Sequence, residues 1–152
     1  MNSKTKAARY ERMYHQIKEL VEPVKNPVSR MATIAAILHH KMDYFFWTGF
    51  YLLDGEQLHV GPYQGPLACL RLKQHTGVCW AGIDGKETVV VGNVEEFPGH
   101  IACSSLSNSE IVVPLKNGDT ITGCLDVDSR DLNSFDETDR EGLEKIVGLI
   151  YA

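Results

Sequence analysis

Two apolar stretches joined by Asn117-Gly118 constrain the fold of this chain more than any other feature of its sequence. SEIVVPL (109–115) precedes the pair and TITGCLDVDS (120–129) follows it, and both are rich in β-branched residues. Asn-Gly between two such stretches is the strongest short-range signal of a β-hairpin, because the tight turn favours positive φ angles. The sequence therefore predicts two adjacent antiparallel strands at this point.

A second hairpin is predicted earlier in the chain. The aromatic stretch YFFWTGFYLLD (44–54) meets LHVGPYQG (58–65) through Asp54-Gly55. ETVVV (87–91) is typical of one more short strand. The pattern thus predicts five strands between about residues 44 and 129.

Helices are predicted at both ends of the chain. Apolar residues recur at steps of three and four over residues 3–22, and again over 26–42, where Asn26 is placed as an N-cap and Pro27 as the first helical residue. Residues 135–151 are expected to form the closing helix, with a capping box from Ser134 to Glu137. The expected fold is α+β, one domain over residues 1–152 with an antiparallel sheet covered on one face by helices.

Composition excludes several classes of function. The 152 residues are 43% hydrophobic and carry a formal charge of -5, which is the wrong sign for a nucleic-acid partner. The sequence contains neither a signal peptide nor an apolar run of the roughly 18 residues that a membrane span needs. We therefore expect a cytoplasmic protein, in which four cysteines are metal ligands, catalytic groups or core residues rather than structural disulfides.

The long connection over residues 92–108 is the segment that looks functional. Loops of this length inside compact domains usually serve binding or catalysis. It carries Cys103, with His100 three residues before it and Glu110 seven after it, whereas Cys124 lies inside a predicted strand and is expected to pack in the core. The alternative to a functional Cys103 is a buried loop thiol that only packs.

Two kinds of cysteine chemistry remain open at this stage. Structural zinc sites usually present ligands in pairs two to four residues apart, but Cys69, Cys79 and Cys103 are ten and twenty-four residues apart. We therefore expect no metal and no other cofactor. A thiol redox centre needs an accessible thiolate and a second thiol brought near by the fold, which three such cysteines permit.

Five segments follow one another along the chain: GPYQGPLAC (61–69), GVC (77–79), FPGHIAC (97–103), SNSEIVVPL (107–115) and LDVDS (125–129). In this order they resemble the free methionine-R-sulfoxide reductase family. This resemblance implies a GAF-type fold with a six-stranded antiparallel sheet, in which the sixth strand would fall within GPLACLRLK (65–73).

The resemblance also implies catalytic roles for three cysteines. Cys103 would attack the sulfoxide sulfur, release methionine and become a sulfenic acid. Cys69 would resolve it by forming a disulfide that thioredoxin reduces, and Cys79 would be an auxiliary or alternative resolving thiol. Free methionine-R-sulfoxide would be the substrate.

Acidic residues supply the remaining chemistry that the reaction requires. A sulfoxide oxygen leaves only when protonated, and carboxyl groups held close together retain protons near neutral pH. Asp126 and Asp128 are two residues apart on one strand and share a face, next to the strand that begins at Glu110. These three acids would deliver the proton or hold the substrate ammonium, and the sequence does not divide the two roles. By the same resemblance Trp47 would pack against the substrate methyl group, with Tyr51 a further wall residue.

Three positions depart from the family pattern, and they bear on pocket shape and proton delivery. They are Trp80, Asn93 and Ser104.

A sensory GAF module that binds a small molecule without chemistry is the alternative function. The two N-terminal helices could pair in a homodimer.

Overall fold

A computed structural model describes residues 1–100 and 105–152 of the chain. Four α-helices, six strands and one 3₁₀ turn follow one another in these residues. They are α1 Ser3–Val21, α2 Pro27–Lys41, β1 Trp47–Asp54, β2 Gln57–Gln64, β3 Arg71–Leu72, α3 Gly77–Gly85, β4 Val89–Val91, the 3₁₀ turn Val94–Glu96, β5 Ser109–Asn117, β6 Thr120–Ser129 and α4 Glu137–Val147.

The six strands form one antiparallel sheet in the order β3-β2-β1-β6-β5-β4. Both predicted hairpins are present, since β1 pairs with β2 across Asp54-Gly55 and β5 pairs with β6 across Asn117-Gly118. Gly55 and Gly118 take φ values of 62° and 64°, which glycine adopts without strain. The predicted α+β class with an antiparallel sheet is confirmed.

The sixth strand lies where the resemblance placed it but is shorter than the sequence pattern suggested. Only Arg71 and Leu72 pair with β2, and Leu72 alone is buried. Leu70 is 78% exposed, so the alternation of Ala68, Leu70 and Leu72 does not mark an inward face.

Three helices cover one face of the sheet and form the larger core. The buried stripe of α1 packs with α2 and α4, and Asn26 caps α2 by accepting from the Ser29 backbone N–H at 3.1 Å, as predicted. Burying such side chains contributes about 1.5–3 kcal/mol each. Fully buried members of this core include Ile17, Ile34, Leu38, Phe50, Ile111, Leu125, Val127 and Leu143.

The opposite face of the sheet is also covered, which corrects the expectation of helices on one face only. The short helix α3 contains the GVC segment and buries Val78, Cys79 and Trp80 against this face. Gly82 lets the helix approach closely, because a Cβ at this position would lie 2.9 Å from Val112 Cγ1 of β5. A second, smaller core therefore lies beneath α3.

The last helix begins and ends at different residues from those predicted. Asp136, rather than Ser134, is the N-cap, and it forms a capping box with Asp139. The Ser134 hydroxyl is engaged instead with Ser129 Oγ at 2.6 Å and the Asp131 carbonyl at 3.3 Å. The helix ends at Val147, short of the predicted residue 151.

No helix within residues 1–100 and 105–152 has the length and apolar character needed to cross a membrane.

Candidate active site

The strand register brings the three predicted acids onto one face of the sheet. Glu110 of β5 lies directly opposite Asp128 of β6, and Asp128 lies opposite Trp47 of β1. Asp126 occupies the next row on the same face, opposite Val112 and Gly49. The period of two along each strand therefore aligns the three acids, as expected from the sequence. The register also places Trp47 beside them.

These residues form the floor of a cleft. Its walls come from α3, from the connection between β2 and β3, and from the residues that flank the segment 101–104. The lining includes Trp47, Tyr51, Pro66, Leu67, Thr76, Gly77, Cys79, His100, Ser107, Glu110, Asp126 and Asp128.

Burial changes the acid chemistry of the three carboxyl groups. Glu110 is 5% exposed, Asp126 is 6% exposed and Asp128 is partly buried. Desolvation raises the pKa of all three, and the neighbouring charge of Asp126 raises the pKa of Glu110 and Asp128 further. The cluster is therefore built to retain protons that exposed carboxyl groups would lose.

Cys79 lies against this acid cluster from the α3 side. Its Sγ and one carboxylate oxygen each of Glu110 and Asp126 all lie within 4.8 Å of one another. A hydrogen bond with Cys124 and burial raise the pKa of the Cys79 thiol. Cys124 is fully buried in β6, as its position in the strand predicted.

An aromatic wall stands beside the acids. Trp47 is 5% exposed and stacks on Tyr63 at 5.2 Å and Tyr51 at 5.8 Å between ring centroids. Gly49 makes room for the indole, because a Cβ there would lie 2.6 Å from Trp47 Cη2. The Trp47 Nε1–H donates to the Pro66 carbonyl at 3.0 Å, which fixes the ring against the cleft.

Cys69 lies at the rim, in the connection between β2 and β3. It is partly buried and disulfide-bonded, whereas Cys79 and Cys124 are free thiols. The Tyr51 hydroxyl donates to the Cys69 carbonyl at 3.1 Å and thereby ties the rim to the sheet. Cys103 and the departure at Ser104 lie outside the described residues.

The other two departures from the family pattern have structural explanations. The Asn93 side chain accepts from the Glu95 backbone N–H at 3.1 Å and caps the 3₁₀ turn, a role that aspartate also fills. Trp80 is 3% exposed and packs in the core under α3, beside the His75 ring at 4.8 Å between centroids. His100 lines the cleft, and burial lowers its pKa.

Comparison with known proteins places this geometry in a family. The sequence profile of the GAF domain matches residues 26–151. The chain belongs to the GAF domain family. The matched region starts at Asn26, the N-cap of α2, and helix α1 lies before it.

Several similar proteins share most of this GAF domain's length. GAF domain-containing protein A of Dictyostelium discoideum is 46% identical over 147 residues, which cover 96% of this chain and 92% of that protein. The free methionine-R-sulfoxide reductase of Escherichia coli strain K12 is 38% identical over 120 residues, which cover 79% of this chain and 73% of that protein.

A solved structure is similar over nearly the whole chain. It is that of free methionine-R-sulfoxide reductase from Neisseria meningitidis in complex with its substrate, with a TM-score of 0.92 and 44% identity over 96% of this chain and 88% of that one. The resemblance indicated by the five sequence segments is therefore confirmed.

The GAF fold also brings residues to the cleft that the sequence pattern did not single out. Thr76 and Gly77 line it at the N-terminus of α3. The Thr76 side chain does not cap the helix, because its hydroxyl donates to the Gln74 carbonyl at 3.1 Å. Tyr63 supports the Trp47 ring, and only the alternation of β2 could have indicated that it faces the same side.

Proposed function

We propose that this protein reduces free methionine-R-sulfoxide to methionine by cysteine chemistry. The observation that carries the proposal is the set of three proton-retaining acids beside an aromatic wall, in a cleft whose rim carries the disulfide-bonded Cys69. The likeness to proteins named for this activity supports the same reaction.

The cleft offers complementary groups for each part of a free amino acid. Glu110, Asp126 and Asp128 supply negative charge or acceptors for the α-ammonium group. The α3 N-terminus at Thr76 and Gly77 presents backbone N–H groups and the positive end of the helix dipole, which suit the α-carboxylate. The Trp47 indole suits the S-methyl group, because sulfur and methyl groups pack favourably on aromatic rings.

The proposed reaction begins with attack of the Cys103 thiolate on the sulfoxide sulfur. This attack forms an S–S bond, and a carboxyl group of the cluster protonates the oxygen. The oxygen then passes to Cys103 as the substrate sulfur loses its bonds to oxygen and to Cys103, so methionine leaves and Cys103 becomes a sulfenic acid. The Cys69 thiol then attacks the sulfenic sulfur, which releases water and forms a disulfide. Thioredoxin exchanges two thiols for this disulfide and leaves oxidised, so the cycle consumes one dithiol for each sulfoxide.

The surroundings of the two remaining candidates favour Cys69 over Cys79 as the resolving thiol. Cys69 lies at the rim and is disulfide-bonded. Cys79 is buried, and its pKa is raised, so its thiolate forms less readily near neutral pH. Cys79 is therefore assigned an auxiliary role beside the acids.

The alternative function is a sensory GAF module without chemistry. A count of free thiols before and after addition of methionine sulfoxide distinguishes the sensor from the enzyme. A sensor would bind methionine sulfoxide without losing thiols, whereas the proposed enzyme loses two thiols for each methionine released.

Thioredoxin is the proposed reductant, and the cytoplasm, where reduced thioredoxin is supplied, is the proposed compartment. The homodimer stays a prediction; Leu20, Val24 and Val28 are 53%, 46% and 55% exposed near the junction of α1 and α2.

The experiment couples oxidation of thioredoxin to reduction of free methionine-R-sulfoxide. Cys103→Ser should abolish turnover, because serine is a far weaker nucleophile and forms no disulfide. Cys69→Ser should release one equivalent of methionine and then stop recycling with thioredoxin. Cys124→Ala is the matched control, since this buried thiol contacts Cys79 but has no assigned step in the proposed cycle. Steady turnover by Cys103→Ser would overturn the proposal, and unchanged recycling by Cys69→Ser would assign the resolving role to Cys79.

A further inference from the structure

The acid cluster and Cys79 together have the composition of a metal site that the spacing of the cysteines did not predict. Cys79 Sγ and one oxygen each of Glu110 and Asp126 lie within 4.8 Å of one another. The three side chains come from α3, β5 and β6, so their convergence depends on the fold rather than on sequence spacing. All three are at least nine-tenths buried, with exposures of 4%, 5% and 6%.

One atom of this cluster has no partner among the described residues. Asp126 Oδ1 is buried and makes no hydrogen bond with any of them. An unpaired buried carboxylate oxygen costs free energy, because the lost hydration is not replaced. Glu110 and Cys79 hydrogen-bond with the Asp126 carboxylate, so this remaining oxygen is the position at which a cation, or a donor from outside the described residues, would bind.

The ligand atoms suit a borderline divalent ion. Zinc binds cysteine sulfur at about 2.3 Å and carboxylate oxygen at about 2.0–2.2 Å, and such ligands stand about 3.5 Å apart in a tetrahedron. A set already within 4.8 Å needs side-chain movements of only about 1 Å to reach that geometry. The same three residues line the open cleft, which gives an ion a path and leaves a fourth position for water.

We propose that Zn²⁺ or a similar borderline divalent cation binds to Cys79, Glu110 and Asp126 at the floor of the cleft. A bound ion would occupy the place assigned above to the substrate ammonium group, so metal and sulfoxide would exclude each other. The site would act as a point of inhibition by free zinc. Metal binding itself does not depend on the reductase activity.

The test titrates the metal-free full chain, in its disulfide form, with Co²⁺ alone as a spectroscopic probe for zinc. In this form Cys79 and Cys124 are the free thiols of the described residues. We expect one equivalent of Co²⁺ to produce the near-ultraviolet charge-transfer band of a thiolate–cobalt bond, and Zn²⁺ to abolish it by displacement. Absence of the band in the parent protein would overturn the proposal.

Matched variants assign the ligands. Cys79→Ser should remove the charge-transfer band. Cys124→Ala, which removes a hydrogen-bond partner of Cys79 but no proposed ligand, should keep the band. Asp126→Asn should weaken Co²⁺ binding by about tenfold or more, and Asp84→Asn on the exposed end of α3 should leave it unchanged. Circular dichroism establishes that each variant is folded. A band that survives in Cys79→Ser, or an unchanged affinity in Asp126→Asn, would contradict the assignment, and the second variant keeps the test open if the first fails to fold.

Discussion

At the scale of single residues, the cleft is organised by buried carboxyl groups that have no basic partner among residues 1–100 and 105–152. Glu110 lies opposite Asp128 and beside Asp126, and desolvation followed by these two charges raises its pKa. Clustered acids of this kind are costly to a folded protein when ionised and useful to a reaction that needs a proton. Removing the Glu110 carboxyl group should therefore favour stability near neutral pH and lower activity.

The pH dependence of stability follows from the sign of these shifts. Because the folded pKa of Glu110 lies above its unfolded value, its favourable contribution is full below the unfolded pKa and is lost as pH rises through the folded pKa. The Glu110→Gln variant cannot ionise, so its free energy of unfolding should fall less between pH 5 and pH 8 than that of the parent. Chemical unfolding at several pH values in chelator-treated buffer measures this difference.

The control for this prediction is Glu141→Gln, which changes an exposed acid on α4. Its pH profile should match that of the parent protein. The Glu110→Gln variant should meanwhile lose most of its reductase activity. Equal pH slopes for the Glu110→Gln variant and the parent would show that Glu110 carries no elevated pKa.

At the scale of secondary-structure elements, local chemistry predicted the hairpins and the longer helices but not α3. Asn117-Gly118 and Asn26-Pro27 each act through their own turn or cap, so the sequence alone identifies them. GVCWAGIDG, by contrast, contains three glycines and apolar residues without a polar face, and it is helical because the sheet buries it. Tertiary packing overrides propensity in such a segment.

The same distinction explains which parts of the site could be predicted. The alignment of Glu110, Asp126 and Asp128 follows from the period of two in paired strands, so it was accessible from sequence. The contact of Cys79 with these acids depends on the position of α3, so it could not be predicted from the sequence. The start of α4 was missed because the predicted capping box from Ser134 overlaps the observed one, which pairs Asp136 with Asp139. Lys6 and Tyr10 of α1 hold the Asp139 carboxylate by hydrogen bonds, and the sequence alone does not show these contacts.

Gly82 offers a test of how α3 is held over the sheet. The Gly82→Ala variant places a Cβ 2.9 Å from Val112 Cγ1, a fully buried and stiff side chain, so the helix or the strand must shift. Overpacking of this kind costs about 1–3 kcal/mol, which exceeds the helix-propensity gain of about 1 kcal/mol at its upper end. Thermal unfolding and the thioredoxin-coupled rate should both decrease.

Gly85 provides the matched control on the same helix. A Cβ at this position meets only Glu87 Cγ at 3.8 Å, an ordinary contact. Gly85→Ala should therefore leave stability and turnover near the parent values. A Gly82→Ala variant that is as stable and as active as Gly85→Ala would show that close approach of α3 is not required.

At the scale of the whole molecule, α1 is joined to the GAF core by a buried ionic network. The Asp139 carboxylate accepts from Lys6 Nζ at 2.6 Å, from the Tyr10 hydroxyl at 2.8 Å and from the Asp136 backbone N–H at 2.9 Å, and the Tyr44 hydroxyl also donates to it. Lys6 is 5% exposed and Asp139 is fully buried. We propose that residues 1–152 form one cooperative domain, with α1 as part of it.

The variant Asp139→Asn tests this proposal. It leaves the buried Lys6 ammonium with only the half-exposed Asp136 carboxylate, at 3.3 Å, as a counter-charge. This loss should lower the free energy of unfolding by about 3 kcal/mol, the lower end of the cost of breaking a buried ion pair. Glu137→Gln, in the same first turn but 64% exposed on its side chain, should cost at most about 1 kcal/mol. Chemical unfolding followed by circular dichroism and by tryptophan fluorescence should give one coincident transition; a separate early transition of helical signal would show that α1 unfolds independently.

The measurement that tests the central claim most directly compares three substrates with the same enzyme and thioredoxin. They are free methionine-R-sulfoxide, free methionine-S-sulfoxide and methionine sulfoxide blocked by N-acetylation and C-amidation, each followed by chromatography of the reduced product. The blocked compound offers no ammonium group to Glu110, Asp126 and Asp128 and no carboxylate to the α3 N-terminus. Losing a charge partner in a desolvated pocket costs about 2–5 kcal/mol, so we expect kcat/KM to fall by about a hundredfold or more. The free R-sulfoxide should be reduced and the free S-sulfoxide should not. Comparable rates on the free and blocked compounds would contradict the assignment of this protein as a reductase of the free amino acid.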